Sequence, residues 1–400
     1  MIQTSERIGR LPGYPLAEIP AIKRRLIEAG VDVIDMGAGD ADARPPQPVV
    51  DALIAAMAEL RYHKYGFQQG LPEFREACAA FVERRFGQRF DPYTEILPLI
   101  GSKEGLSHMP LAVCNAGDVV LVPEPGYQAY IGGAVLSLSE PHICGLRPEH
   151  DFLLDWESIP SPVLDRTRVV YLNYPNNPTA AIAPMEYLEK TVTICRKRGI
   201  LIAYDNAYAD VTFDGYVAPS IFEIPGARDV AVEYLSLSKS YSMTGWRLGY
   251  AVGNPRLIGA LVRVKSYVDT GPWLAIQKAA CTALERSEEF VAPLRAEFQR
   301  RRDAGVSALR ETGFDVESPR AAMYLWVPLP AGVNSQAFAR RAMEETGAIV
   351  LPGSGFGPAG EGFFRIALTV GSERLAEGIR RLGGVLAGMS RDAGAPAARA

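Results

Sequence analysis

Residues 230–253 read VAVEYLSLSKSYSMTGWRLGYAVG. Two apolar runs, Val230–Ser236 and Leu248–Gly253, have the length and composition of buried strands. Between them lies a turn rich in small hydroxyl residues, which carries Lys239 and runs on to Arg247. Four runs upstream read as strands in the same way: Leu97–Gly101, Val119–Pro123, Val169–Tyr174 and Ile200–Asp205. Helical stretches separate several of them, among them Glu104–Cys114 and Met185–Arg198, the second preceded by Pro184. Strand and helix signals that alternate predict an α/β fold with a mostly parallel sheet between helices.

Downstream the pattern changes. Ser287–Glu311 reads as a long amphipathic helix. It is followed by Met323–Val327, a helix around Ser335–Thr346, Ile349–Leu351, Phe363–Leu368 and a closing helix from Ser372. This predicts a smaller α+β domain, with the N-terminal segment packed against it. The expected division is 1–47 as an arm and part of the small domain, 48–286 as the large domain, 287–386 as the small domain, and 387–400 as a flexible tail.

A chain of 400 residues with 48% hydrophobic residues is ample for buried cores and exceeds one ordinary domain. The net charge of −4 leaves no electrostatic footprint for nucleic acid or an anionic membrane. No apolar run approaches the roughly 20 residues that span a bilayer. The N-terminus shows no basic start followed by an apolar stretch, so no secretory signal is expected. Cys78, Cys114, Cys144, Cys195 and Cys281 are scattered, as are the four histidines. Reduced thiols, a cytoplasmic setting and no metal site are expected.

The unusual chemistry sits at strand ends, where ligands bind in such sheets. Lys239 in isolation reads as a solvated lysine, but Ser236, Ser238 and Arg247 around it suit a phosphate. A lysine amine there suits Schiff-base formation with an aldehyde. Asp205 ends the apolar run ILIAYD, where a carboxylate is costly unless paired. A helix cap is one reading; a protonated pyridine nitrogen as partner is the other. Tyr208 and Asn177 are placed to reach the phenolic oxygen of the same ring. Gly101-Ser102-Lys103 precedes a helix, as an ordinary turn or as a phosphate site. Tyr127 reads as core packing or as a ring stacked on a flat heterocycle. Arg365, flanked by apolar residues, needs an anionic partner, and an α-carboxylate fits.

Together the segments GSKEG, PEPGY, YPNNPT, YDNAY, SLSKSYSMTGWRLGY and FRIAL carry a family resemblance. From about Asp35 to Leu382 the chain resembles the class I/II aminotransferases of pyridoxal phosphate fold type I. It looks nearest the aspartate and LL-diaminopimelate aminotransferase branch. The resemblance implies a large domain with a mostly parallel seven-stranded sheet between helices, and a smaller α+β domain made from the N- and C-terminal parts. It implies pyridoxal 5'-phosphate as cofactor, with Lys239 as Schiff-base lysine and proton shuttle. Asp205 is then the partner of the ring nitrogen, with Tyr208 and Asn177 at the phenolic oxygen. Ser102, Lys103, Ser236, Ser238 and Arg247 supply phosphate contacts, Tyr127 stacks, and Arg365 with the backbone near Gly39 holds the substrate carboxylate. Tyr65, in HKYGFQQGLPEFREA, resembles a tyrosine that reaches across a homodimer interface to the phosphate.

The resemblance also implies an amino acid and a 2-oxo acid as substrates, 2-oxoglutarate and glutamate as the default pair, and ping-pong transfer. A β-lyase or synthase using the same residues is the alternative. A ligand-sensing module of a transcription regulator is a third reading; the matching region begins near Asp35, which leaves little room for the DNA-binding domain such modules carry. Two motifs depart from the family: Gly39-Asp40-Ala41-Asp42 replaces G-(E/D)-P-D, and Asn177-Pro178-Thr179-Ala180 replaces N-P-T-G. The first is expected to loosen the loop over the substrate.

Overall fold

The computed structural model describes residues 2–13 and 19–394. In chain order its strands are β1 (Ile34–Asp35), β2 (Ile96–Leu99), β3 (Val119–Glu124), β4 (Glu140–Gly145), β5 (Thr167–Asn173), β6 (Leu201–Asp205), β7 (Ala231–Ser236), β8 (Gly249–Gly253), β9 (Tyr324–Pro328), β10 (Ala348–Ile349), β11 (Leu351–Pro352) and β12 (Phe363–Ala367). Seven of them form one sheet in the order β2-β8-β7-β6-β5-β3-β4. Its neighbours from β7 through to β4 run parallel; β8 runs antiparallel to both β7 and β2.

The central strands are buried on both faces, as their continuous apolar runs require. One strand of this sheet escaped the sequence reading. β4, EPHICG, lies at the sheet edge with most residues partly or fully exposed, so it lacks the apolar run and tolerates Pro141.

The helices Met185–Arg198, Ser287–Glu311 and Ser335–Thr346 occupy the residues expected of them. β11, β12 and β9 form a second, antiparallel sheet. The run Ile349–Leu351 proves to be two strands: β10 pairs with β1, and β11 with β12. The β1–β10 pair ties the N-terminal segment to this part of the chain. Leu26, from the helix Ile19–Glu28, packs there on Met343 and Ile349. The closing helix runs Ser372–Gly394, past Ala387, where a flexible tail was expected to begin. Residues 395–400 of that tail lie outside the described residues.

Buried charge holds the turn after β2. Lys265 is fully buried and donates to Glu104 (2.6 Å) and Asp269 (2.9 Å). Glu104 also accepts the Ile100 N–H at 2.7 Å. Buried charges persist only when paired in this way. The network therefore fixes the approach of Gly101 and Ser102 to the helix Ser102–Val113.

Candidate active site

The carboxyl ends of β5, β6 and β7, residues of β9 and β12, and the loop after β1 enclose one cavity of about 550 Å³. Every residue singled out in the sequence for this chemistry lines it except Tyr65.

Lys239 sits in the helical turn Leu237–Ser240 directly after β7, a turn capped by Ser236, whose side chain accepts the Ser238 N–H at 3.2 Å. The lysine amine donates to the Gly39 carbonyl. Asp205 ends β6 and is 4% exposed. Its Oδ2 accepts the Tyr130 hydroxyl at 2.8 Å. Its Oδ1 is shielded from solvent and makes no hydrogen bond of ordinary geometry, although the nearby Ala207 N–H favours its charged form. Burial pushes this carboxyl up from 3.8 to about 6, against the pull of Tyr130 and Ala207. Asn173, at the end of β5, donates to the Asp205 carbonyl (2.8 Å) and accepts the Asn177 N–H (2.8 Å), so two strand ends are locked together.

At the other end of the cavity Ser102 and Lys103 open a helix whose first N–H groups are without helical partners. Arg247 closes on this turn. A Cβ at Gly101, where φ is +71°, would lie 2.5 Å from the Arg247 guanidinium. The positive φ favours glycine here, and Gly101, Ser102, Ser236, Ser238 and Arg247 form a cup whose donors and charge suit a phosphate. The Lys103 amine lies 5.6 Å from the centre of the Tyr127 ring.

Arg365, on β12, donates to the Asn177 side-chain oxygen (2.7 Å) and to the Gly37 carbonyl (2.8 Å). Its guanidinium lies between two rings, 4.2 Å from the centre of Tyr324 and 4.7 Å from that of Phe356. Tyr208 meets Tyr324 hydroxyl to hydroxyl at 2.8 Å.

The loop of residues 36–42, where Ala41 departs from the family, carries several contacts. Asp35 accepts the Gly37 and Ala38 N–H groups, Thr369 donates to the Ala38 carbonyl at 2.9 Å, and Arg301 pairs with Asp42 at 2.8 Å. Ala180 adopts φ +60°, a left-handed conformation that costs an L-residue roughly 1 kcal/mol, at the place where the family has glycine. Tyr65 stands apart from the cavity, 71% exposed, with its ring against Phe67.

Sequence reasoning missed Tyr130, Asn173, Tyr324 and Phe356. Tyr130 follows Tyr127 by one helical turn, a spacing that marks a shared face. Tyr324 opens a strand that reads as plain core.

Residues 31–382 match the family model described as aminotransferase class I and II. The chain belongs to the class I and II aminotransferases. It is 43% identical over 382 residues to LL-diaminopimelate aminotransferase 2 of Trichormus variabilis, covering 95% of this chain and 98% of the relative. It is also 43% identical to the LL-diaminopimelate aminotransferase of Aquifex aeolicus, covering 96% and 99%. Among solved structures it resembles a probable N-succinyldiaminopimelate aminotransferase of Thermus thermophilus, at 36% identity, TM-score 0.88, and coverage of 93% and 100%. The seven-stranded sheet is that of fold type I, as in the aspartate aminotransferase of Thermotoga maritima at 28% identity and TM-score 0.89. The enzyme is a transaminase, and its cofactor is pyridoxal 5'-phosphate. The cavity fits that group: it offers an anion cup, a lysine amine and a buried carboxylate oxygen.

Proposed function

We propose that the aminotransferase moves an amino group between an L-amino acid and a 2-oxo acid by a ping-pong sequence, with glutamate and 2-oxoglutarate as one pair. LL-diaminopimelate stands first as the other donor, because the relatives quoted carry that name over nearly the whole chain. The observation that carries the reading is the convergence of Lys239, Asp205 Oδ1, the Gly101–Arg247 cup and Arg365 on one cavity.

In this reading Ser102, Lys103, Ser236, Ser238 and Arg247 hold the phosphate, and Tyr127 packs on the ring. The bound cofactor supplies an aldehyde that condenses with amines and a ring that accepts the electron pair left at the substrate α-carbon. Asp205 keeps the ring nitrogen protonated. Tyr208 and Asn177 donate to the phenolic oxygen. Arg365 takes the substrate α-carboxylate in its fork, steadied by Asn177 and the Gly37 carbonyl. That grip orients the α-hydrogen towards the Lys239 amine. Lys239, with its amine free, would take the proton from the substrate α-carbon and hold it for return. The Gly39 carbonyl gives the freed amine a resting place.

The test is a half-reaction screen of the cofactor-loaded protein. LL-diaminopimelate or glutamate alone should bleach the visible band of the lysine-bound cofactor, and 2-oxoglutarate should restore it after LL-diaminopimelate. Steady release of pyruvate and ammonia from cystathionine, with no need for an oxo acid, would instead establish a β-lyase.

A homodimer with shared sites belongs to the same proposal. Ile54, Met57 and Leu60 are exposed on the helix Gln47–Met57 and the turn Leu60–His63, which pack on the helix Leu274–Glu285, and Tyr65, Phe67 and Tyr267 are exposed as well. Exposed apolar side chains of this kind suit a subunit interface. In the dimer, Tyr65 reaches the phosphate of the other subunit. Sedimentation should return twice the chain mass of 43.4 kDa; a monomer that transfers at full rate refutes the shared site. Among the described residues no helix is long and apolar enough to cross a membrane.

A further inference from the structure

Tyr324, the first residue of β9, is 2% exposed and stands where three of the site's parts meet. Its hydroxyl is 2.8 Å from that of Tyr208, with the two rings edge to face at 5.5 Å. The Arg365 guanidinium lies over its ring at 4.2 Å. A Cβ at Gly39 would fall 2.6 Å from its hydroxyl, so the loop whose carbonyl receives Lys239 is seated against it.

The pair of hydroxyls poses a question of donor order. Each phenol has one proton to give. Tyr208 lines the cavity, and burial, the largest cause, pushes its ionisation well above the ordinary range, although Arg365 pulls the other way. The Asp205 carboxylate adds to the rise. Tyr208 is thus a protonated donor at working pH. If it gives that proton to Tyr324 it has none for the cavity. The arrangement that leaves it a donor has Tyr324 donating to the Tyr208 oxygen, and a phenol whose oxygen accepts a hydrogen bond is itself a stronger donor.

We propose that Tyr324 is a positioning residue: it donates to Tyr208 and so holds the Tyr208 hydroxyl as a donor to the cofactor's phenolic oxygen, while its ring carries the Arg365 fork. The inference rests on the reading of Tyr208 given above. It goes beyond that reading by making the phenolic-oxygen contact depend on a residue of the second sheet.

Tyr324→Phe keeps the ring under Arg365 and removes only the hydroxyl. The readout is the pH at which the visible band of the lysine-bound cofactor changes colour, as the nitrogen joining Lys239 to the cofactor loses its proton. A donor at the phenolic oxygen stabilises the deprotonated form, so weakening that donor raises the midpoint. Tyr208→Phe should raise it by roughly one to two pH units. Tyr324→Phe should raise it by roughly 0.3 unit. The double variant should match Tyr208→Phe alone, because Tyr324 acts through Tyr208. A fluorinated tyrosine at position 324, a stronger donor, should move the midpoint down. An unchanged midpoint in both position-324 variants, or shifts that add in the double variant, would overturn the inference. A wild-type protein with no such band would overturn the cofactor reading of the site instead.

Discussion

Replacing Lys239 with alanine is expected to lower amino transfer by at least about 10⁴-fold, the upper end of what one positioned proton-transfer group contributes. The same change removes the covalent hold on the cofactor, a second and separate loss. The cavity offers no substitute at the same place. The other lysines that line it are Lys23, which is paired with Asp35 at 2.7 Å, and Lys103, which lies beside Tyr127 on the phosphate side. The helical turn Leu237–Ser240 and its Ser236 cap do not depend on the lysine side chain, so the variant should fold and still take up cofactor through the Gly101–Arg247 cup. Steady-state transfer and the absorbance of the loaded protein check this. Full activity in the variant would show that another group performs the proton transfer.

The second large effect is at Asp205. Asparagine keeps the volume and removes the charge that would hold the ring nitrogen protonated. Transfer should fall by about 10³-fold, the upper end for one preorganised electrostatic group. The stability of the cofactor-free protein gives an independent readout. Burial raises this carboxyl from 3.8 to about 6, so the unfolded chain releases its proton first as the pH rises. Stability is therefore full below 3.8 and is lost as the pH climbs through about 6. A shift of this size corresponds to a loss on the order of 3 kcal/mol above that window. Glu233, which burial pushes up to about 7, titrates in both proteins, so their difference isolates Asp205. Between about pH 4 and about pH 7 the unfolding temperature of the cofactor-free Asp205→Asn protein should gain on that of the wild type. With cofactor bound the wild type should be the more stable at neutral pH. Parallel pH profiles for the two cofactor-free proteins would mean that the buried carboxylate carries no such strain.

Which features the sequence reveals follows from how the information is stored. β5, β6 and β7 are central, and a strand buried on both faces must be a continuous apolar run. Polar residues at the ends of such runs stand out against it. That is why Asp205, Asn177 and Lys239 are recognisable as candidates from the sequence alone. β4 is invisible there for the converse reason: at an edge, one flank and one face are wet, and EPHICG carries no period strong enough to mark it. The split of Ile349–Leu351 into two strands of different sheets arises from pairing with β1 and β12, which local sequence does not encode. Tyr130 and Tyr324 escape notice because an aromatic residue in an apolar run reads as core. What sets them apart is one hydroxyl, whose partner comes from a distant segment. Tyr65 is the reverse case. Its motif names it, yet within a single chain its ring points to solvent, and the role proposed for it depends on a second subunit.

The central claim is that Lys239 carries the cofactor. It is tested most directly by reducing the loaded protein with borohydride, digesting it, and finding the peptide that bears the added cofactor mass. That mass is expected on the peptide containing Lys239, and is expected to be missing from that peptide when LL-diaminopimelate is added before the reductant. Cofactor mass on another lysine, or none on any peptide from a fully loaded protein, would contradict it.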